Sequence, residues 1–210
     1  MTRRSTATGN LSDHLQLITD KGEVALREAK NGLRQFDEVL KLIRESNWKL
    51  HLTPELIKNL QRIAVDGIWS SAGIFRKHPI KISNTDHEPP HYDQVPWLVQ
   101  QMCDYANENA AKPFHISAYL MWRLNWIHPF GDGNGRTSRA VSYLALSIAL
   151  KAELPGSPTI PDLIVREKGP YYAALDAADA ACRNSGLDVG EMESLLTRLL
   201  EQQLTSMPPK

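Results

Sequence analysis

The segment HISAYLMWRLNWIHPFGDGNGRTSR, residues 115–139, contains the sharpest change of composition in the chain. Its first part, residues 115–127, is strongly apolar and predicts a buried, central helix. The following twelve residues hold three glycines, one aspartate, one histidine and two arginines. Because glycine lets a backbone approach a ligand closely, residues 128–135 predict a tight loop that receives a charged ligand.

The loop runs into a second apolar helix, which is predicted from Asn134 onward. The N-terminus of a helix presents unpaired N–H groups and a partial positive charge, and both favour an anion. Arg136 and Arg139 are three residues apart and therefore share one face of the first turn. Cations at this end oppose the helix dipole, so the pair favours a bound phosphate. The alternative is a surface helix whose arginines pair with nearby acids.

Asp132 and His128 add two chemical functions to this loop. A carboxylate would repel a phosphate unless a divalent cation lay between them, and Mg²⁺ is commonly held by one or two carboxylates plus substrate phosphates. Asp132 could instead be a turn residue that bonds its own backbone. An imidazole beside a phosphate is a candidate general base, although a lone histidine is often only a packing or capping residue.

The composition of the whole chain restricts its class. Its 210 residues suit one globular domain with a sizeable core. Lys plus Arg and Asp plus Glu number 24 each, and this balance argues against binding to nucleic acid or to a membrane surface. Neither a signal peptide nor an apolar run long enough for a membrane helix is visible, so we expect a cytoplasmic protein. Cys103 and Cys182 lack the spacing of a disulfide framework or a metal site.

The remaining pattern is predominantly helical. One long helix is expected within residues 12–45, with Leu33, Phe36, Leu40 and Ile43 on its apolar face. Further helices are expected from Thr53, from Asp93, over 170–184 and from Asp188, whereas residues 154–161 are expected to form a loop. Residues 80–83 alternate and predict a short strand or hairpin. We therefore predict an all-α protein of about seven helices with one short β-hairpin.

The segment His128–Arg139 resembles the complete signature of the Fic (Fido) family, His-Pro-Phe-x-(Asp/Glu)-Gly-Asn-Gly-Arg-x-x-Arg. Residues 71–76, SAGIFR, are similar to the element before the family's hairpin flap, and residues 79–102 resemble the flap and the next helix. Residues 170–181 resemble its late tyrosine-bearing helix. The resemblance implies a Fic-type helical domain with a β-hairpin flap. Residues 1–50 would be an N-terminal helical extension of a catalytic domain at 51–210, within a single compact unit.

The resemblance also implies a reaction. Fic proteins are mostly protein adenylyltransferases, which move AMP from ATP to a hydroxyl of a target protein and release pyrophosphate. His128 would deprotonate the target Tyr, Thr or Ser, and Asp132 would hold Mg²⁺ between the phosphates. The residues implied in nucleotide binding are Gly133, Asn134 and Gly135 through their N–H groups, Arg136 and Arg139 at the β- and γ-phosphates, and Tyr171 and Tyr172 near the adenine. Some relatives carry Asn at the position of Asp179.

Two further expectations follow from these roles. An exposed strand edge at Ile80, Lys81, Ile82 and Ser83 would align an extended target segment through main-chain hydrogen bonds; the alternative is an ordinary surface hairpin. A histidine base must be neutral, so activity is expected to rise through roughly pH 6–7.

Several alternatives stay open at this stage. The pocket could transfer UMP, remove AMP from a modified target, or belong to a non-catalytic nucleotide-binding module. Relatives with an inhibitory helix carry Ser/Thr-x-x-x-Glu-Gly/Asn, and Thr19 to Glu23 and Thr197 to Glu201 match it in part. A small antitoxin-like inhibitor and a homodimer are further open alternatives.

Overall fold

The computed structural model describes residues 5–7, 14–184 and 186–206. Within them the chain forms eight α-helices: α1 (Lys21–Glu45), α2 (Pro54–Val65), α3 (Val95–Glu108), α4 (Pro113–Ile127), α5 (Asn134–Leu150), α6 (Ile160–Arg166), α7 (Lys168–Asn184) and α8 (Gly190–Thr205). Two three-residue strands, β1 (Ser5–Ala7) and β2 (Ile80–Ile82), complete the fold. The all-α prediction is confirmed. The additional helix is α6, which is only seven residues long and begins inside the predicted loop.

The predicted central helix is α4, which packs against α3, α5, α7 and α8. Leu120, Leu124 and Ile127 on this helix are fully buried. A helix that is apolar on nearly all sides is stable only inside a core, because no polar face is available for solvent. The end of α4 therefore holds His128, its C-cap, in a buried position.

Helix α1 begins at Lys21, where the Asp20 side chain accepts a hydrogen bond from the Glu23 N–H, and not near residue 12 as expected. Its predicted apolar face is wrong in part, since Leu33 is 71% exposed. The buried face carries Val39 and Ile43 together with two polar side chains, Asn31 and Gln35, that bond to the end of α2. Gln35 Nε2 donates to the Leu60 carbonyl at 2.9 Å, for example. This helix packs on α2 and α5. The division into an N-terminal extension, residues 1–50, and a catalytic domain, residues 51–210, stays a prediction.

The expected strand at residues 80–82 is present, but its partner lies elsewhere in the chain. Strand β2 pairs antiparallel with β1, and Ser5 is opposite Ile82. The residues after β2 cannot return along it because they bond to other elements. The His87 ring nitrogen Nε2 lies 2.7 Å from the Trp126 carbonyl, and the Pro90 carbonyl accepts from Arg76. The local hairpin is thus replaced by a pairing with the N-terminus.

No helix among the described residues is long and apolar enough to cross a lipid bilayer.

Candidate active site

The side chain of His128 is placed by the end of α4. This residue is the C-cap of the helix and has left-handed backbone angles, φ 50° and ψ 59°. Its Nδ1 lies 3.1 Å from the Asn125 carbonyl oxygen, and a carbonyl only accepts, so Nδ1 carries the proton. The neutral ring then has its basic lone pair on Nε2, which is the state required of a general base.

Burial lowers the pKa of His128 to about 4, and the nearby charge of Arg76 acts in the same direction. The bond to Asn125 opposes this shift only in part. The ring is therefore neutral well below the pH range expected from an unperturbed histidine. The predicted rise of activity through pH 6–7 is accordingly corrected: protonation of His128 should reduce activity only near pH 4.

This burial also makes the free energy of unfolding depend on pH. The folded pKa of His128 is below the unfolded value of about 6.5, so the unfolded chain binds more protons between pH 4 and 6.5. The contribution of His128 to stability is therefore complete above pH 6.5 and is lost as the pH falls toward 4, by as much as about 3 kcal/mol. Urea unfolding of the wild type and His128→Gln between pH 4 and 7 measures this. Equal pH dependence of the two proteins would contradict it.

Arg76 holds the carbonyls at the end of α4 in place. Its guanidinium donates to the His128 carbonyl at 2.8 Å and to the Pro90 carbonyl at 2.5 Å, and its side chain is buried. Burial lowers the pKa of Arg76 to about 10, so the group stays charged at neutral pH. A cation at the C-terminus of a helix stabilises the last carbonyls. Arg76, the last residue of the SAGIFR segment, thus stabilises the start of the catalytic loop, residues 128–135.

Gly133 sets the geometry at the start of α5. Its φ is 80°, and a Cβ atom there would lie 2.8 Å from Val65 Cγ1. Asn134 fastens the loop from inside, since its side chain accepts from the Phe130 N–H at 3.0 Å and donates to the Phe130 carbonyl at 2.8 Å. The amide side chain of Asn134 is therefore occupied by the loop itself. At Asn134 an anion would therefore meet the main-chain N–H group and not this side chain.

Asp132 accepts hydrogen bonds on both carboxylate oxygens. Oδ1 accepts from the Gly133 N–H at 2.7 Å, which is the turn role considered above. Oδ2 accepts from Trp69 Nε1 and from Arg136 Nη2, both at 2.9 Å. Trp69 was not identified from the sequence, where it stands 63 residues from Asp132 without any motif. Its ring stacks on His14, with centroids 4.2 Å apart.

The two arginines of the motif lie in different surroundings. Arg136 forms ion pairs with Asp132 at 2.9 Å and with Glu28 of α1 at 3.0 Å. Arg139 is half-buried, and its desolvation lowers its pKa, while the neighbouring Tyr171 acts in the opposite direction. Two acids therefore pair with Arg136, whereas Arg139 lies against the hydroxyl of Tyr171.

Glu28 was not identified from the sequence either, because it does not stand in the Ser/Thr-x-x-x-Glu-Gly/Asn pattern of the inhibitory helix. The candidates from the sequence, Glu23 and Glu201, are both exposed, and neither lines the cavity at this loop. Among the described ion pairs, Glu28 is the glutamate that reaches a motif arginine. Helix packing brought it there: α1 lies against α5, which carries Arg136.

Tyr171 and Tyr172 lie on α7 with ring centroids 5.4 Å apart. The Tyr171 hydroxyl accepts from Asn125 Nδ2 at 2.9 Å, and its side chain is almost fully buried. Asp179, farther along α7, is buried and accepts from Trp122 Nε1 at 2.8 Å. Asp179 therefore fixes α7 to α4.

One cavity of about 1080 Å³ brings most of the predicted site together. Its lining includes Ile82 and the predicted residues His128, Asp132, Gly133, Asn134, Gly135, Arg136, Arg139, Tyr171 and Tyr172. Of the four predicted flap residues, Ile82 lines it, whereas Ile80, which is buried, and the exposed Lys81 and Ser83 do not. The volume is at the upper end of that of small-molecule sites.

The fold and the site define a class: an all-α domain in which a histidine at the end of one helix lines the same cavity as the N-terminus of the next helix. The model of the Fic/DOC family matches residues 51–146. This part of the chain is therefore a domain of the Fic/DOC family.

Relatives and solved structures agree with this assignment. The chain is 31% identical over 156 residues to the protein adenylyltransferase Fic of Drosophila persimilis, a match that covers 71% of this chain and 28% of the relative. The corresponding protein of Nematostella vectensis is 26% identical over 164 residues, covering 71% of this chain and 34% of that one. The chain thus spans about a third or less of the length of these two relatives.

Two solved structures share the fold. A Fic domain containing signaling protein from Bacteroides thetaiotaomicron superposes with a TM-score of 0.71 at 22% identity, over 90% of this chain and 73% of that chain. Fic-1 from C. elegans gives 0.68 at 18% identity, over 90% and 52%.

Proposed function

We propose that this protein transfers AMP from ATP to the hydroxyl of a Tyr, Thr or Ser residue of a target protein. The observation that carries the proposal is the juxtaposition, in one cavity, of His128 with the start of α5 and the two motif arginines. The name of the relatives in Drosophila and Nematostella, protein adenylyltransferase Fic, supports the same reaction.

In this reaction His128 Nε2 accepts the proton of the target hydroxyl. The hydroxyl oxygen forms a bond to the α-phosphorus, the bond from that phosphorus to the bridging α,β oxygen breaks, and pyrophosphate leaves. The low pKa of His128 keeps the base neutral at physiological pH. The rate acceleration comes chiefly from positioning and charge stabilisation, as is general in phosphoryl transfer.

The main-chain N–H groups of Gly133, Asn134 and Gly135 would bind the phosphates at the start of α5, as helix N-termini bind anions. Arg136 and Arg139 would bind the β- and γ-phosphates. Arg136 must first give up its ion pair with Glu28, so this ion pair and the nucleotide compete for one guanidinium. Tyr171 and Tyr172 line the same cavity on the α7 side and would border the nucleoside.

Asp132 is the residue that would hold Mg²⁺, and the donor set fits this ion. No group of three or more His, Cys, Asp or Glu side chains able to bind a metal occurs among the described residues. A single carboxylate suits Mg²⁺, which is typically bound by one or two carboxylates together with substrate phosphates. When bound, the ion would neutralise the charge of the phosphates.

Replacing Glu28 by glutamine is expected to raise the rate of transfer at low ATP, because Arg136 is then released from one competing acid. The ion pair is partly exposed, with side-chain exposures of 44% for Glu28 and 21% for Arg136. We therefore expect only a two- to fivefold effect, about what an exposed pair contributes. Initial rates at several ATP concentrations measure it. Glu23→Gln, five residues earlier on α1, is the matched control; equal effects of both variants would contradict a role for Glu28.

The experiment that tests the proposed reaction uses ATP labelled in either the α- or the γ-phosphate. With Mg²⁺ and a cell lysate, labelling of protein above that of the lysate alone should come from α-labelled ATP and not from γ-labelled ATP. Transfer from γ-labelled ATP would indicate phosphorylation, and preference for α-labelled UTP would indicate UMP transfer. Absence of any transfer, with nucleotide still bound, would indicate a binding module and overturn the proposal.

The location and partners of the protein are parts of the same proposal. A cytoplasmic location stays a prediction. The ion pair of Glu28 supports inhibition within the chain, whereas an antitoxin-like inhibitor and a homodimer stay predictions.

A further inference from the structure

One edge of β2 is occupied by the chain's own N-terminus. The main chain of Ser5–Ala7 pairs antiparallel with Ile80–Ile82, and Ser5 lies opposite Ile82. Ile82 lines the cavity that contains His128, Asp132 and Arg136. The paired strands therefore lie at the border of the candidate active site.

The N-terminal segment contacts the same site at a second place. The Leu17 N–H donates to the Ile68 carbonyl at 2.8 Å, and the Ser70 N–H donates to the Leu15 carbonyl at 2.9 Å. These bonds place His14 against the catalytic loop, where a Cβ atom on Gly131 would lie 2.5 Å from the His14 ring. The segment before α1 is thus bonded to the flap at one end and to the Trp69 region at the other.

We propose that β1 is an exchangeable occupant of the docking edge of β2, and that an extended segment of the target replaces it there. The proposal deepens the proposed function, since the target is taken to be the protein whose hydroxyl receives AMP. Main-chain pairing depends little on side-chain identity, so the edge that accepts residues 5–7 would accept another extended chain.

The size of the pairing suits exchange. A two-stranded ribbon of three residues per strand is marginally stable in water, and within the described residues β1 and β2 form a sheet of two strands only. By contrast, the bonds of residues 15 and 17 to 68–70 lie beside the buried ring of His14. We therefore expect residues 5–7 to leave the edge while residues 14–17 stay in place.

The test uses the full chain with Ser5→Pro, Thr6→Pro and Ala7→Pro combined. Proline has no N–H donor, so pairing is lost whichever residues of β1 donate. The matched control is Ser5→Ala with Thr6→Ala, which removes both hydroxyls and keeps every main-chain N–H donor. Amide hydrogen exchange of Ile80–Ile82 should be at least about tenfold faster in the proline variant than in the control. A synthetic peptide of residues 1–13 at about millimolar concentration should restore the slow exchange.

Transfer of AMP to lysate proteins should be faster in the proline variant than in the control, and the peptide should reduce it. Unchanged amide hydrogen exchange in the proline variant would contradict the claim that β1 occupies the edge of β2. Failure of the peptide to restore protection, or equal rates of AMP transfer by both variants, would overturn the proposal that another extended segment replaces β1. If neither protein transferred AMP at all, the proposed function would fail, while the exchange measurements would still decide whether the edge accepts an extended chain.

Discussion

Replacing His128 by alanine is expected to lower the rate of AMP transfer by about 10²–10⁴-fold, the usual contribution of a general base. The reason is that Nε2 is the basic nitrogen of a buried, neutral ring in the cavity, with Nδ1 held by the Asn125 carbonyl. The affinity for nucleotide should change little, because the phosphates would be bound by α5 and its arginines. Initial rates and nucleotide binding, measured on the same preparation, separate the two effects.

A suitable control for this variant is His87→Ala. His87 is also buried and contacts the end of α4, where its ring nitrogen lies 2.7 Å from the Trp126 carbonyl, but it does not line the cavity. The control should keep its transfer rate within a few-fold of the wild type when it is folded. Transfer by His128→Ala at the wild-type rate would exclude His128 as the base.

Asp132→Asn is expected to have the second large effect, a fall of about 100-fold or more in the transfer rate. A metal ion typically contributes several kcal/mol to charge stabilisation in such reactions, and each 1.4 kcal/mol corresponds to about tenfold in rate. The neutral amide would also place N–H groups among the donors of Gly133, Trp69 and Arg136, which now meet one carboxylate. Rates measured over a range of Mg²⁺ concentrations test this expectation.

Two variants sharpen the comparison. Trp69→Phe keeps the carboxylate and removes one hydrogen bond from it, so a loss of about three- to tenfold is expected. Asp104→Asn changes an exposed carboxylate of α3 and should have no effect. Equal activity of Asp132→Asn and Asp104→Asn at all Mg²⁺ concentrations would show that Asp132 does not hold the ion.

The core of the fold and the centre of the site could be predicted because their signals are local. The apolar run of α4 permits only a buried helix, and the twelve residues after it contain the glycines and arginines of the site. Backbone geometry then follows from the residue types: Gly133 takes a positive φ, and α5 begins at Asn134 as expected.

The parts that could not be predicted depend on contacts between distant segments. Ser5 and Thr6 are both polar, so β1 lacks the alternation that identified β2, and its pairing with β2 has no signal in the sequence. Helix α1 buries Asn31 and Gln35, and a search for apolar periodicity therefore selected the exposed Leu33. The low pKa of His128 arises from burial by several elements, which no motif records.

The central claim is that the start of α5 binds a nucleoside triphosphate. Calorimetric titration of His128→Ala with Mg²⁺ and ATP tests it most directly. This variant cannot consume the nucleotide if His128 is the base, so binding is measured alone. The account predicts one ATP per chain, with binding weakened by about tenfold or more when Arg136→Ala and Arg139→Ala are added, since a charge-assisted hydrogen bond contributes about 1.5–3 kcal/mol. Absence of binding, or binding that is unchanged without both arginines, would contradict it.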